Sequence, residues 1–275
     1  MRRLKKPHFD VERIVRDCAK SYSQDSLRKQ FFDNATYIKE KSDEYDQYAS
    51  KTEWDHIVKE YKVNGIITSE EMRSLYEDKF TKHKAERENY YDKIMSLATN
   101  GKCPICGIGH VSTLDHYLAK SIYPTYAVTP ENLIPVCKDC NYNKRDYEIK
   151  SINNALLHPY YDSIDSIEWL CARIEKEGEM MVVCYYVNPS ISGELYKRLK
   201  NHFDRYKLGK AYAVQASTEI SENMRIWKDR FFCGRDKLIS YLNECLRSRE
   251  AYMKNTWNTA LLRALIRNID VFSEL

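Results

Sequence analysis

Two C-x-x-C pairs, Cys103-Cys106 and Cys137-Cys140, bracket an Asp115-His116 dipeptide, and Asn132 and Asn141 lie close to the second pair. Four thiolates suit a closed tetrahedral zinc site. An aspartate and an asparagine oxygen are hard ligands suited to Mg²⁺, which usually keeps several of its waters. Histidine has an ordinary pKa of about 6.5 and can act as a general base. Hydrolysing a phosphodiester needs these parts: a nucleophile, a base, and a cation for the developing charge. Each part has a plainer reading. An Asp-His pair alone is more often an ordinary hydrogen-bonded pair, and many zinc ribbons only bind. A single C-x-x-C can be a redox pair, but two matched pairs around one stretch argue for metal.

The elements that must position these residues follow from the spacing. Thirty residues separate Cys106 from Cys137, more than the roughly 15–20 of a plain zinc ribbon, so something folded lies between the pairs. Val111-Ser112-Thr113-Leu114 is β-prone and ends on Asp115-His116. Asn132 to Val136 reads as a second short strand, and Cys140 to Glu148 is compatible with a polar helix. Successive strand residues point to opposite faces, so Asp115 and His116 converge only at a bend or a strand end.

Strand, loop, strand, helix with two knuckles resembles the HNH endonucleases, whose ββα-metal fold often carries two C-x-x-C pairs. The matching pieces are Cys103-Pro104-x-Cys106-Gly107, Leu114-Asp115-His116, Asn132-Leu133-x-Pro135-x-Cys137-x-x-Cys140-Asn141, and Lys144. The resemblance implies that His116 is the general base that activates water. It implies that Asp115 and Asn141 hold one catalytic Mg²⁺ or Mn²⁺, with Asn132 bracing the loop and orienting His116. Cys103, Cys106, Cys137 and Cys140 would hold a structural Zn²⁺. The implied reaction leaves a 5′-phosphate and a 3′-hydroxyl. Two positions depart from the family pattern: Asn141 stands where other members have His, and Ala119 where many have Pro.

Lys144 and Arg145, one helical turn beyond Asn141, are candidate contacts to substrate phosphates. Tyr117, Tyr123, Tyr126, Tyr142 and Tyr147 are interleaved with the basic residues and could stack on unpaired bases, although packing is the plainer role for each. Further on, Leu157-His158-Pro159-Tyr160-Tyr161-Asp162 resembles a segment of larger HNH proteins in defence systems such as Septu-type anti-phage pairs, in which an ATPase partner accompanies the nuclease. His158 is either a second site histidine or a buried hinge residue.

The surroundings read as scaffold. Asp10 can cap a helix with Val11, Ile14, Val15 and Cys18 on one face, and a longer polar helix runs across roughly 25–50. Asn64-Gly65 marks a break. Thr68 with Glu71 forms a capping box for a helix carrying Met72, Leu75, Tyr76 and Phe80, and a further helix runs through Tyr90, Ile94 and Met95. The basic arm Arg2, Arg3, Lys5, Lys6 is the one part of this region that suggests nucleic acid. Ile167–Ile174 and Met180–Val187 read as a hairpin around Glu177-Gly178-Glu179, followed by helices. Cys171, Cys184, Cys233 and Cys245 show no paired spacing and suit small core positions.

The chain has 275 residues, nine of them cysteine, a net charge of +4 and 31% charged residues. No apolar run approaches the ~20 residues of a membrane span, and the basic start lacks a signal-peptide core. These features point to a cytoplasmic protein with reduced cysteines. The expectation is an α+β, mostly helical chain in three regions: helical 1–98, a zinc-stapled ββα-metal module at 99–162, and a β-hairpin with helices at 163–275. Its expected partner is nucleic acid, with DNA favoured. Structured RNA such as tRNA is the alternative substrate, and a zinc-stapled binding module that does not cut is the alternative function.

Overall fold

The computed structural model describes residues 1–178 and 180–274. It is α+β and mostly helical, with three two-stranded antiparallel sheets among the described residues. The chain forms two compact units, Met1–Asp162 and Ser163–Leu275. The first unit contains both 1–98 and 99–162.

In the first unit, α1 (Val11–Lys20) starts where the Asp10 carboxylate accepts a hydrogen bond from the Glu12 amide at 3.0 Å. It buries Val11, Ile14, Val15 and Cys18, and its partner in the fold is the 26-residue α2 (Asp25–Ser50). Asn64-Gly65 is more than a break. Both residues have positive φ, 51° and 69°, and turn β1 (Lys62–Val63) back onto β2 (Ile67–Thr68). Thr68 and Glu71 form the capping box of α3 (Ser69–Ser74).

Beyond Ser74 the structure departs from a regular helix. Leu75–Phe80 is π-helical, as is Arg87–Tyr91 between α4 (Lys84–Glu86) and α5 (Asp92–Met95). Thr81 donates five residues back, to the Tyr76 carbonyl, at 3.0 Å. Such wide turns cost regular hydrogen-bond geometry and are frequent at functional sites.

The helices present a core of Ile14, Phe31, Ile38, Met72, Leu75 and Phe80, and Leu114 and Leu133 insert into it. Those two leucines belong to β3 (Thr113–His116) and β4 (Leu133–Val136), paired so that Asp115 faces Ile134 and His116 faces Leu133. The sheet is thereby seated on the helical core by its apolar positions. The helix that follows, α6 (Lys138–Lys144), begins before Cys140 and stops well short of Glu148. It ends because Arg145 adopts φ 50° and ψ −147°, a backbone geometry that a helix cannot continue.

The second unit is a hairpin, β5 (Leu170–Glu177) against β6 (Met180–Val187), with four helices. Its first strand begins at Leu170 rather than Ile167; Glu179, in the expected turn, lies outside the described residues. The helices are α7 (Gly193–Arg205), α8 (Leu208–Phe232), α9 (Arg235–Tyr252) and α10 (Trp257–Arg267). Trp169, Leu170, Leu208, Leu238, Leu261 and Leu265 are fully buried in it. Of Cys171, Cys184, Cys233 and Cys245, only Cys171 is a buried core residue. Cys184 and Cys245 are half-buried and Cys233 is exposed, since it lies at the solvent-facing end of α8. No helix among the described residues is long and apolar enough to cross a membrane.

Candidate metal centre and cleft

The first knuckle folds around backbone bonds that the two C-x-x-C residues frame. The Gly107 amide donates to the Cys103 carbonyl at 2.8 Å, and Gly107 takes φ +71°, a conformation glycine adopts without strain. The Gly109 amide points at Cys106 Sγ, 3.4 Å away. Gly109 also lies against the second knuckle, where a Cβ would sit 2.7 Å from Cys137 Cβ. Only glycine allows the two knuckles to close.

Closed, they bring all four Sγ atoms of Cys103, Cys106, Cys137 and Cys140 within 4.8 Å of one another, and all four residues are buried. A tetrahedral zinc with Zn–S bonds of about 2.3 Å needs S···S edges of about 3.8 Å. Cys106 and Cys137 are 3.8 Å apart. The donor set and its spacing fit a structural zinc. Hydrogen bonds among the four thiols hold Cys106 and Cys137 below their ordinary pKa and push Cys103 and Cys140 above it, so the thiols share protons that a bound zinc would displace.

The second feature is an open cleft of about 550 Å³ beside β3 and α6. Asp115, His116, Asn141, Lys144 and Arg145 all line it. Asp115 and His116 occupy the last two positions of β3, so the strand end lets both reach one space.

His116 is held on two sides. Its Nε2 lies 2.8 Å from the Ala127 carbonyl oxygen. A carbonyl can only accept, so Nε2 carries the proton and Nδ1 carries the lone pair. The Tyr76 ring meets the imidazole edge-on with centroids 4.4 Å apart. Burial, with Lys120 nearby, pushes the His116 pKa down to about 3, so the ring is neutral at neutral pH.

Lys144 is 1% exposed, and its ammonium lies 3.2 Å and 3.3 Å from the two carboxylate oxygens of Asp115. It also donates to the His116 carbonyl at 2.6 Å. The sequence made Lys144 a substrate phosphate contact; in the structure its charge is directed at Asp115. Burial raises the Asp115 pKa and the lysine opposes that shift.

A phage protein resembles this chain. Over 235 residues the sequence is 24% identical to "Protein ea31" of Escherichia phage lambda, an alignment covering 81% of this chain and 78% of that protein. No protein-family model matches the chain, and no solved structure does. The relative's name states no activity, so function has to be argued from the site.

Asn132 does not line the cleft. It is fully buried behind it. Its Oδ1 accepts from the Leu118 amide at 2.7 Å, and its Nδ2 donates to the Leu118 and Tyr126 carbonyls at 3.1 Å each. These bonds close the loop that carries Ala127, the carbonyl that fixes His116. Asn132 is therefore a positioning residue.

His158 is also away from the cleft. It is fully buried, stacked on Trp54 at 5.5 Å and against Tyr117 at 4.4 Å. The Tyr160 amide donates to its Nδ1 at 3.2 Å. That is a buried, hydrogen-bonded residue in an aromatic box. Among the five tyrosines interleaved with the basic residues, Tyr117, Tyr123 and Tyr126 are buried and Tyr147 is half-buried. Tyr142 alone is exposed, at 64%. Arg145 lies over its ring, 4.5 Å from the centroid, and donates to its hydroxyl at 2.6 Å.

The far wall of the cleft comes from the two π-helical turns. They supply Tyr76 and Glu77, then Arg87 and Tyr91, with Lys82 between them. Glu77 pairs with Lys120 at 3.5 Å, and Lys120 also lies over the Tyr76 ring at 5.3 Å. Sequence reasoning named Lys120 among the basic residues but placed none of Tyr76, Glu77, Lys82, Arg87 and Tyr91 at the site. Tyr76 falls on the apolar stripe with Met72, Leu75 and Phe80, so nothing in its spacing separates it from core.

Proposed function

We propose that the first unit is a metal-dependent HNH-type endonuclease, DNA favoured, stapled by zinc at its four cysteines. The observation that carries this reading is the state of His116. Its Nε2–H is committed to Ala127, so its Nδ1 lone pair is the ring's acceptor, and its neighbours on the same cleft are Asp115 and Asn141.

In this reading Asp115 and Asn141 would offer oxygens to Mg²⁺ or Mn²⁺, and such an ion would supply a more acidic bound water and a counter-charge for phosphate. Burial keeps His116 neutral, with its Nδ1 lone pair available to accept a proton. The same burial opposes protonation, so the base role requires the negative charge of a bound phosphate to raise that pKa toward the working pH. Asn132, through the 117–131 loop, and Tyr76, through its ring, hold the imidazole in place. Arg145 and Tyr142 stand at the mouth, where a guanidinium and an exposed ring suit a phosphate and an unpaired base. Arg145 keeps a positive φ that costs a non-glycine residue about 1–3 kcal/mol.

One observation favours the second reading, a zinc-stapled module that binds without cutting. The Asp115 carboxylate already has a buried cation in Lys144. Incubation of the protein with plasmid DNA and with total tRNA, in Mg²⁺ or in EDTA, separates the readings. Cutting in Mg²⁺ that EDTA abolishes is expected, and the cut substrate names the class. Binding that ignores Mg²⁺, without cutting of either substrate, rejects the nuclease.

A further inference from the structure

A second groove in the first unit, of about 940 Å³, shares no lining residue with the cleft. It is built from the N-terminal arm, Lys93 on α5, and the Tyr160-Tyr161 segment. Short basic arms are usually mobile, but this one is pinned. The Arg2 amide donates to the Pro104 carbonyl on the first zinc knuckle at 2.6 Å, and the Leu4 amide donates to the Pro159 carbonyl at 3.0 Å. Met1, Leu4 and Pro7 are buried, while Arg3 and Lys5 on either side of Leu4 are exposed, as is Lys93. Lys6 is the exception among the arm's lysines. It binds both oxygens of Asp46 at 2.7 Å, and the Tyr161 hydroxyl donates to the same carboxylate.

The charge in this groove has one sign. Arg3, Lys5, Lys6 and Lys93 line it and no carboxylate does, in a chain of 44 basic and 40 acidic residues. The cleft, by contrast, mixes its cations with Glu77, Asp115 and Asp146. Of its aromatic residues, Tyr160 is buried with its hydroxyl on the Leu133 carbonyl, Phe9 and Tyr161 are half-buried, and His8 is exposed. Clustered cations of this kind suit a sugar-phosphate backbone. The entropy of ordering the arm is already met in the folded protein, which favours binding.

We propose that this groove binds the phosphate backbone of the nucleic acid at a distance from the bond that is cut. This inference rests on the nucleic-acid reading of the cleft and adds a second anchoring site to it. It predicts that long substrates are held at two places and that removing the arm's charge weakens binding without changing the cutting step.

The test is fluorescence anisotropy of the full zinc-loaded chain without added Mg²⁺ or Mn²⁺, over a salt series, with a labelled DNA duplex and a labelled tRNA as probes. An Arg3→Glu/Lys5→Glu variant should lose at least about tenfold in affinity, and its salt slope on duplex DNA should fall by roughly 2, near 0.9 per phosphate contact. Lys93→Glu lies on a helix and leaves the arm intact, so it guards against a misfolded arm. It should lose affinity in the same direction with a slope lower by about 1. The probe more affected by both variants identifies the backbone the groove prefers. Wild-type affinity and slope in both variants overturn the proposal, as does a loss confined to the arm variant, or a wild-type chain that binds neither probe. Cutting is scored separately in Mg²⁺. Groove-dependent binding without cutting leaves the groove standing and rejects the nuclease, and cutting with variant-insensitive binding does the reverse.

Discussion

The cysteine cluster and the cleft are joined by α6 and differ in almost everything else. Cys137 and Cys140 enter that helix at its start, and Asn141 and Lys144 leave from its later turns. The cluster is closed: four buried sulfurs, one donor type, no room for a substrate. The cleft is open, with mixed charge and a wall brought from a distant part of the chain. Closed sites hold a fold together, and open ones leave a position for chemistry. The difference teaches which changes should unfold the unit and which should only silence it.

The largest effect belongs to the closed site. Cys106→Ser should reduce bound zinc from about one per chain to none and cost several kcal/mol of stability, since zinc-finger sites contribute about 10 kcal/mol or more to folding. Metal analysis with thermal unfolding measures both. A chain that keeps its melting temperature without zinc would erase the distinction between the two sites.

Next is the buried pair inside the cleft. Lys144→Met leaves the Asp115 carboxylate without its cation, which should cost about 3–5 kcal/mol. Adding Asp115→Asn should recover much of that loss, because the stranded charge is gone. Denaturant titration of the two variants checks the coupling. Additive losses would mean that the two side chains do not act as a pair.

Glu131 offers the contrast to Asp115, a half-buried carboxylate that forms no ion pair among the described residues. Burial raises its pKa to about 7 from 4.5. A folded pKa above the unfolded one means stability is fullest below about pH 4.5 and is lost as pH rises through about 7. Glu131→Gln should remove that loss, gaining up to about 3 kcal/mol at pH 8 and little at pH 4. Unfolding curves at the two pH values decide it, and an equal change at both would reject the buried charge as cause.

The smallest effect sits at the rim. Arg145→Gly should relieve the positive φ and stabilise the unit by about 1 kcal/mol. It should also raise KM for the cut substrate by removing the guanidinium. A destabilised variant would mean that the Tyr142 contact outweighs the strain.

How legible each region was follows from how local it is. The cluster is set by short spacings and by Gly109, so the four cysteines could be read directly. The α1 cap at Asp10, the Thr68–Glu71 box and the Met180–Val187 strand are also local patterns. The cleft was half legible. Asp115, His116, Asn141 and Arg145 lie within one stretch and on one space. Tyr76, Glu77 and Arg87 arrive through tertiary packing and through π-helical turns that shift side chains off the regular 3.6-residue period. Lys144 was named, but its direction was not, because burial against Asp115 depends on where α6 lies over β3. The end of α6 was misjudged for a similar reason: nothing in an arginine announces a positive φ.

The central claim, that the cleft rather than the cluster carries the chemistry, is tested most directly by His116→Ala. Single-turnover cutting and zinc content would be measured on the same preparation beside wild type. The account predicts equal zinc, a similar melting temperature, and a rate at least about 10²–10⁴-fold lower, the usual contribution of a general base. Equal rates would contradict it outright.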